Sequence, residues 1–117
     1  MDYVNNDWNQ LQALLKKMGN PPFSISDNVD LYEQDIETLG NLVKVDSNLI
    51  LTYSKVESLG NLVKVGGYLY LDNTTIESLG NLEYVGGYLD LADTLLSKKY
   101  SEEQIRNMIQ VKGKIYM

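Results

Sequence analysis

The sequence predicts a solenoid, a chain wound into stacked coils that share one hydrophobic core. A ten-residue segment occurs three times, and the interval between copies is always 20 residues. A Leu-x-Leu segment follows each copy at the same interval. One 20-residue coil is too small to bury its own apolar side, so each copy needs a neighbour above and below it.

The repeats occupy residues 27–96. The ten-residue copies are Ile36–Val45, Val56–Val65 and Ile76–Val85. The Leu-x-Leu segments are Leu49–Leu51, Leu69–Leu71 and Leu89–Leu91, preceded by a degenerate copy at Val29–Leu31. Their alternation predicts one parallel sheet of about four or five short strands, each with one buried face. The other apolar positions recur every three residues, which favours tight, 3₁₀-like turns over a second long strand.

Small residues mark the corners of each predicted coil. A Gly-Gly pair, Gly66-Gly67 or Gly86-Gly87, precedes two of the Leu-x-Leu segments. The corresponding corner of the preceding copy holds Asp46-Ser47. Because aspartate tolerates a left-handed backbone better than most residues, this departure from the Gly-Gly pattern is mild.

The ends of a solenoid need caps, because each end exposes an apolar cross-section. In residues 1–20, apolar side chains recur at helical spacing, and Pro21-Pro22 prevents the helix from continuing. The apolar stripe consists of Val4, Trp8, Leu11, Leu15 and Met18. We therefore predict an N-terminal capping helix whose Trp8 covers the first coil.

Residues 97–117 predict a C-terminal helix and a last strand, which complete a single domain of residues 1–117. Ser101-Glu-Glu-Gln104 has the pattern of a capping box, and Ile105, Met108 and Ile109 follow it. Residues 111–117 then repeat the pattern of residues 85–91 after 26 residues. The last strand would form the sheet edge, through which a homodimer could assemble.

The repeat Leu-Gly-Asn-Leu-x-x-Val-Gly-Gly-x-Leu-x-Leu-x-x-Thr-x-Ile resembles a short leucine-rich repeat. It is particularly similar to receptor L-domain repeats and to repeat proteins of bacteria and bacterial viruses. The resemblance covers about 70 residues and implies a right-handed solenoid with a parallel sheet on one face. It also implies binding of other proteins, and it brings no catalytic residue.

Composition excludes several kinds of site. The chain has neither cysteine nor histidine, which removes disulfides, thiolate metal sites and the commonest general base. No apolar run approaches the length of a membrane span and no signal pattern opens the chain, so we expect a cytoplasmic protein, in the host cytoplasm if a virus encodes it. Residues 1–96 carry a net charge of −9 and residues 97–117 carry +3. This acidic body favours a basic partner over nucleic acid, although Lys98, Lys99, Arg106, Lys112 and Lys114 form a basic end.

The candidate binding site is the outward side of the predicted strands. There the residues between the buried leucines differ from copy to copy, while the leucines do not. Tyrosine offers large contact areas at a small entropic cost, and carboxylates would match a basic partner. The predicted partner-binding residues are Tyr32, Ile50, Tyr53, Tyr68, Tyr70, Asp72, Tyr88 and Asp90.

These residues predict a non-enzymatic protein-binding module that needs no cofactor or metal. Asp72 and Asp90 could form a carboxylate pair, but nothing in the sequence marks a pocket around them. A carbohydrate- or peptide-binding domain and a structural homo-oligomer are the alternatives. The small acidic chain, with a repeat type common in bacterial viruses, also suggests an inhibitor that blocks a host defence protein, such as a nuclease that binds nucleic acid.

Overall fold

The structure is a computed structural model that describes residues 5–117. Within those residues, two five-stranded parallel sheets line a common core. Sheet 1 consists of β1 Phe23–Ile25, β3 Leu42–Val45, β5 Lys64–Val65, β7 Tyr84–Val85 and β9 Gln110–Val111. Sheet 2 consists of β2 Val29–Asp30, β4 Leu49–Ile50, β6 Leu69–Tyr70, β8 Leu89–Asp90 and β10 Ile115–Tyr116. The predicted solenoid of parallel strands with helical caps is confirmed, with one more sheet than expected.

The strands of sheet 2 pair in the register that the 20-residue repeat predicts. Leu49 pairs with Leu69, and Leu69 pairs with Leu89. The predicted last strand is also present, since Ile115 pairs with Leu89 despite the longer spacing of 26 residues. Leu69 and Leu71 are fully buried, as the alternation of the strand predicts.

Sheet 1 forms where the sequence predicts only turns. Its inward positions end the ten-residue segments, and Val65 pairs with Val45 and Val85. The backbone N–H of Val63 donates to the carbonyl of Val43 at 2.8 Å, which extends the contact between coils. Strands of two residues are too short to show an alternating pattern in the sequence, so pairing between coils defines them.

The Gly-Gly corners are required by close packing of the coils. A Cβ atom on Gly86 would overlap the carbonyl oxygen of Gly66, which lies directly beneath it in the preceding coil. Asp46 does not have a left-handed backbone. Among residues 5–117, positive φ angles occur instead in other turns, for example 56° at Gly60 and 61° at Tyr53. The corner therefore selects glycine for space, not for its φ angle.

The N-terminal cap is a helix, α1, whose described residues are Asn5–Lys17. Trp8 is 1% exposed, and its ring centroid lies 6.1 Å from that of Phe23 in the first strand. The predicted role of Trp8 in covering the first coil is therefore confirmed. Val4 lies outside the described residues, and Met18 follows the helix with 62% of its surface exposed, so Met18 does not belong to the apolar stripe.

The C-terminal cap contains two helices, α2 Leu95–Lys99 and α3 Glu102–Met108. The capping box predicted at Ser101 is present: its hydroxyl accepts from the Gln104 N–H, and the Gln104 side chain accepts from the Ser101 N–H. The sequence analysis missed α2, which Thr94 caps in the same way. Ile105 is buried, whereas Met108 is 49% exposed and does not contribute to the core.

Candidate partner-binding surface

The outward residues of sheet 2 align in columns across the coils. The central column pairs Asp30 with Ile50, Ile50 with Tyr70, Tyr70 with Asp90, and Asp90 with Tyr116. The columns on either side follow from the same register. We call this surface the tyrosine face and define it by Tyr32, Ile50, Tyr53, Tyr68, Tyr70, Asp72, Tyr88, Asp90 and Tyr116. It unites all eight predicted partner-binding residues with one further tyrosine.

Four rings of this face touch one another in series. Tyr68 stacks on Tyr88 with a centroid distance of 4.8 Å and an interplanar angle of 5°. Tyr70 lies 5.9 Å from Tyr68 on one side, and Tyr116 meets Tyr88 edge-on at 5.9 Å on the other. We call these residues the four-ring cluster. Such contacts add to the stability that burial provides, so each ring restrains the orientation of its neighbour.

Glycines beneath the cluster make room for its rings. A Cβ atom on Gly87 would lie 2.5 Å from Cδ1 of Tyr68, and one on Gly113 would lie 2.8 Å from Cδ1 of Tyr88. Each ring therefore lies against the backbone of the next coil. The Tyr68 N–H also donates to Oδ1 of Asn48 at 2.7 Å, which anchors this strand to the preceding coil.

A second aromatic pair lies in the turns that follow the strands. Tyr32 and Tyr53 meet edge to face at 6.0 Å, and they are 46% and 53% exposed. Tyr53 has a φ of 61°, a left-handed conformation that the turn imposes on Asn73 and Asp93 in the next coils. Asparagine and aspartate tolerate this conformation, whereas a bulky residue rarely adopts it. An exposed tyrosine at this position is therefore not explained by fold stability.

Two carboxylates lie among the tyrosines. Asp72 accepts a hydrogen bond from Oγ1 of Thr52 at 2.8 Å, and Oδ1 of Asp90 accepts from the Ala92 N–H at 3.0 Å. Among residues 5–117, neither carboxylate takes part in an ion pair. Burial raises the pKa of Asp90; the Ala92 hydrogen bond opposes this shift, and the charges of Asp72 and Asp93 add to it. The ionised form of Asp90 is therefore poorly solvated.

Two tyrosines of this face, Tyr32 and Tyr70, have raised pKa values. Burial raises the pKa of Tyr70, and the neighbouring tyrosines and Asp90 raise it further. The charge of Glu33 raises the pKa of Tyr32. Both side chains are therefore neutral at physiological pH and can donate hydrogen bonds to a partner.

Tyr116 is the member of the face that the sequence analysis missed. It is 44% exposed and occupies the position next to Asp90 in the central column. The repeated pattern of residues 111–117 aligns Tyr116 with Asp90, so the signal was present in the sequence. It was obscured because the last coil is six residues longer than the others.

Two clefts among the described residues lie away from the tyrosine face. One of about 350 Å³ lies between residues 77–82 and helices α2 and α3, and another of about 580 Å³ runs along the turns near Glu37 and Glu57. Residues of the tyrosine face line neither cleft. A surface of exposed rings outside these clefts suits a macromolecule better than a small ligand.

No family model, curated protein sequence or solved structure matches the chain. The resemblance to leucine-rich repeats therefore stays a prediction. Within the described residues, no group of three or more acidic side chains could hold a metal ion, and no helix has the length and apolar character needed to cross a bilayer.

Proposed function

We propose that this protein is a non-enzymatic binding module that docks a protein partner on the tyrosine face. One observation carries the proposal: six of the nine tyrosines of the chain lie on this face, and four of them form the four-ring cluster. Tyrosine is enriched in the residues that dominate binding energy at interfaces.

The distribution of constant and variable positions supports binding over a purely structural role. The inward residues Leu49, Leu69 and Leu89 are identical in successive coils, as packing requires. The outward residues beside them vary from isoleucine to tyrosine to aspartate. Because the rings already pack on one another, a partner would immobilise few side chains, which reduces the entropic cost of association.

Charge favours a partner with a basic surface. Asp72 and Asp90 lie among the rings without a cationic partner in residues 5–117, and the whole chain carries a net charge of −6. Opposite charge on the partner would increase the association rate and align the two surfaces. The narrower hypothesis, an inhibitor made by a bacterial virus in the host cytoplasm, rests on the small size, the acidity and the repeat type of the chain.

The decisive experiment compares the outer faces of the two sheets. The double variant Tyr68→Ala/Tyr70→Ala removes two rings from sheet 2, and Lys64→Ala/Tyr84→Ala is the matched control on sheet 1. We expect the first variant to lose at least about tenfold in affinity for a partner captured from the producing cells, because interface tyrosines are frequent hot spots. The control should bind like the wild type.

Circular dichroism and urea unfolding must show that both double variants remain folded. Equal loss of binding by both variants, or undiminished binding by the Tyr68→Ala/Tyr70→Ala variant, would refute the proposal. Binding of glycans or short peptides by the same rings would instead favour the alternative of a carbohydrate- or peptide-binding domain.

A structural homo-oligomer is the other alternative, and one feature favours it. In residues 5–117, β9 and β10 are edge strands of the two sheets at the same end of the solenoid. Edge strands can pair with another chain, although lysines such as Lys112 and Lys114 discourage this pairing. Light scattering that gives a dimer mass, and a monomer mass after deletion of Met117, would support this alternative.

A further inference from the structure

Asp90 lies inside a partial ring of tyrosines. Its neighbours in the central column are Tyr70 and Tyr116, on the strands that flank β8. Along its own strand, Tyr88 lies two residues before it and Ala92 two residues after it. Since alternate residues of a strand share a face, Asp90 has tyrosine on three sides and a methyl group on the fourth.

The tyrosines around Asp90 are held in place by each other. The ring centroids of Tyr70 and Tyr68 are 5.9 Å apart, and those of Tyr68 and Tyr88 are 4.8 Å apart. The ring of Tyr116 lies 5.9 Å from that of Tyr88. The strands that carry Tyr70 and Tyr116 are two strand spacings apart, about 10 Å. A flat group can therefore approach the carboxylate between rings that do not need to reorganise.

The carboxylate at the centre has unused acceptor capacity. One oxygen accepts the Ala92 N–H, and in residues 5–117 no lysine or arginine forms an ion pair with Asp90. Burial removes water from its ionised form, and the negative charges of Asp72 and Asp93 repel it. A bound cation would remove that penalty and would meet the negative faces of the surrounding rings.

We propose that Asp90 and the four-ring cluster bind an arginine side chain of the partner. Arginine fits better than lysine, because its flat guanidinium can stack on a ring while it donates two parallel hydrogen bonds to a carboxylate. This inference rests on the proposed function and deepens it: the tyrosine face is the docking surface, and Asp90 marks where a cationic side chain of the partner enters.

Lys114 is a cation that the strand register places near this site. By the register of β8 and β10, Lys114 lies beside Tyr88 in the adjacent column and diagonally from Asp90. Its charge opposes a second cation at Asp90. Lys114→Gln should therefore strengthen arginine binding about two- to threefold at low salt, and the gain should shrink as salt screens the charge.

The test uses three short peptides with blocked ends. Each has arginine, lysine or citrulline at one central position, and glycine and serine residues on either side. Citrulline keeps the flat shape of arginine and lacks its charge. Binding is followed by NMR from the ring signals of Tyr70 and Tyr116. We expect the arginine peptide to shift these signals to saturation, the lysine peptide to bind more weakly, and the citrulline peptide to bind at least about tenfold more weakly.

Asp30 supplies a matched control for Asp90. It occupies the same column in the first coil and accepts the Tyr32 N–H at 3.1 Å, as Asp90 accepts the Ala92 N–H, but its partner across the ladder is Ile50. Asp90→Asn should weaken arginine binding at least about tenfold, whereas Asp30→Asn should leave it unchanged. Equal binding of arginine and citrulline, equal losses in both variants, or no shift of the Tyr70 and Tyr116 signals would overturn the inference.

The partner-capture assay separates this inference from the proposed function. If Asp90→Asn still captures the partner and Tyr68→Ala/Tyr70→Ala does not, the arginine site is wrong and the docking surface stands. If neither variant loses capture, both proposals are wrong. If both variants lose capture and the arginine peptide binds as expected, both are supported.

Discussion

The two sheets of this solenoid share one interior and differ on their outer faces. Both sheets bury aliphatic side chains against the same core, for example Val65 in sheet 1 and Leu69 in sheet 2. Outside, sheet 1 presents mostly small, polar or basic residues, namely Ser24, Lys44, Lys64, Tyr84 and Gln110. Sheet 2 presents Asp30, Ile50, Tyr70, Asp90 and Tyr116, with further tyrosines beside them.

The contrast separates what folding requires from what it leaves free. The interior positions repeat because every coil must fill the same space between its neighbours. The outer positions have no such constraint, and yet six of the nine tyrosines lie on or beside sheet 2. Because both sheets are parallel and five-stranded, the difference in chemistry comes from the outward side chains, and it is the basis of the proposed docking surface on sheet 2.

The largest expected effects test the shared interior. Leu62 lies in the ten-residue segment that leads into sheet 1, Leu69 lies in sheet 2, and both are fully buried. Leu62→Ala and Leu69→Ala should each lower the free energy of unfolding by about 2–5 kcal/mol, because each leaves a cavity in a packed core. Urea unfolding measures both values. If one of these substitutions is neutral, the two sheets do not contribute equally to the core.

A smaller loss of stability is expected from a substitution at the corner that joins a strand of sheet 1 to a strand of sheet 2. Gly86→Ala places a methyl group against the backbone of Gly66, which cannot move without separating the coils. The free energy of unfolding should fall by about 1–3 kcal/mol. Asp46→Ala is the control at the equivalent corner, where a side chain is already accommodated and exposed, and it should change little. A stability of Gly86→Ala equal to wild type would contradict the close approach.

The outer faces can be compared through one pair of neighbouring side chains on each sheet. On sheet 2, a double-mutant cycle of Tyr68→Ala and Tyr88→Ala should give a coupling energy of about 0.5–1.5 kcal/mol from their stacking. On sheet 1, Nζ of Lys64 lies 5.0 Å from the ring centroid of Tyr84. The corresponding cycle for Lys64 and Tyr84 should give at most about 0.5–1 kcal/mol and should weaken with salt. A salt-sensitive cycle on sheet 2 would disprove aromatic stacking as its source.

The smallest effect concerns the protonation of Asp90. Its pKa is raised in the folded state by burial, so the folded protein binds the proton more tightly than the unfolded chain does. The stability gained in this way is fully present below the ordinary pKa of aspartate and is lost as pH rises through the folded-state pKa. Asp90→Asn keeps an acceptor for the Ala92 N–H and removes the charge. The variant should be slightly more stable than wild type at neutral pH.

The stability that Asp90→Asn gains over wild type should disappear in acid, at pH values below the ordinary pKa of aspartate. Unfolding by urea at a series of pH values, from about 3 to about 8, measures the difference between the two proteins. A difference that stays constant over this range would show that burial of the charge is not its cause.

The sequence predicted the sheet 2 side of the fold well because alternation there is explicit. Leu69 and Leu71 are buried and Tyr68 is 38% exposed, as the period of two requires. The left-handed φ of Tyr53 could not be read from the sequence, because tyrosine does not signal that conformation. The stacking of Tyr68 on Tyr88 also required coordinates, since the register gives neighbours but not the orientation of their rings.

The 20-residue period by itself determined the solenoid, its inward leucines and the outward columns of sheet 2. A repeated spacing can do this because every copy must offer the same apolar positions to the same neighbours. Only the tertiary structure decided that the turns form a second sheet and that four tyrosine rings near Asp90 contact one another. Those features depend on contacts between coils. Hydrogen bonds between paired strands define the second sheet, and the packing of tyrosine rings against glycine determines how the rings are oriented.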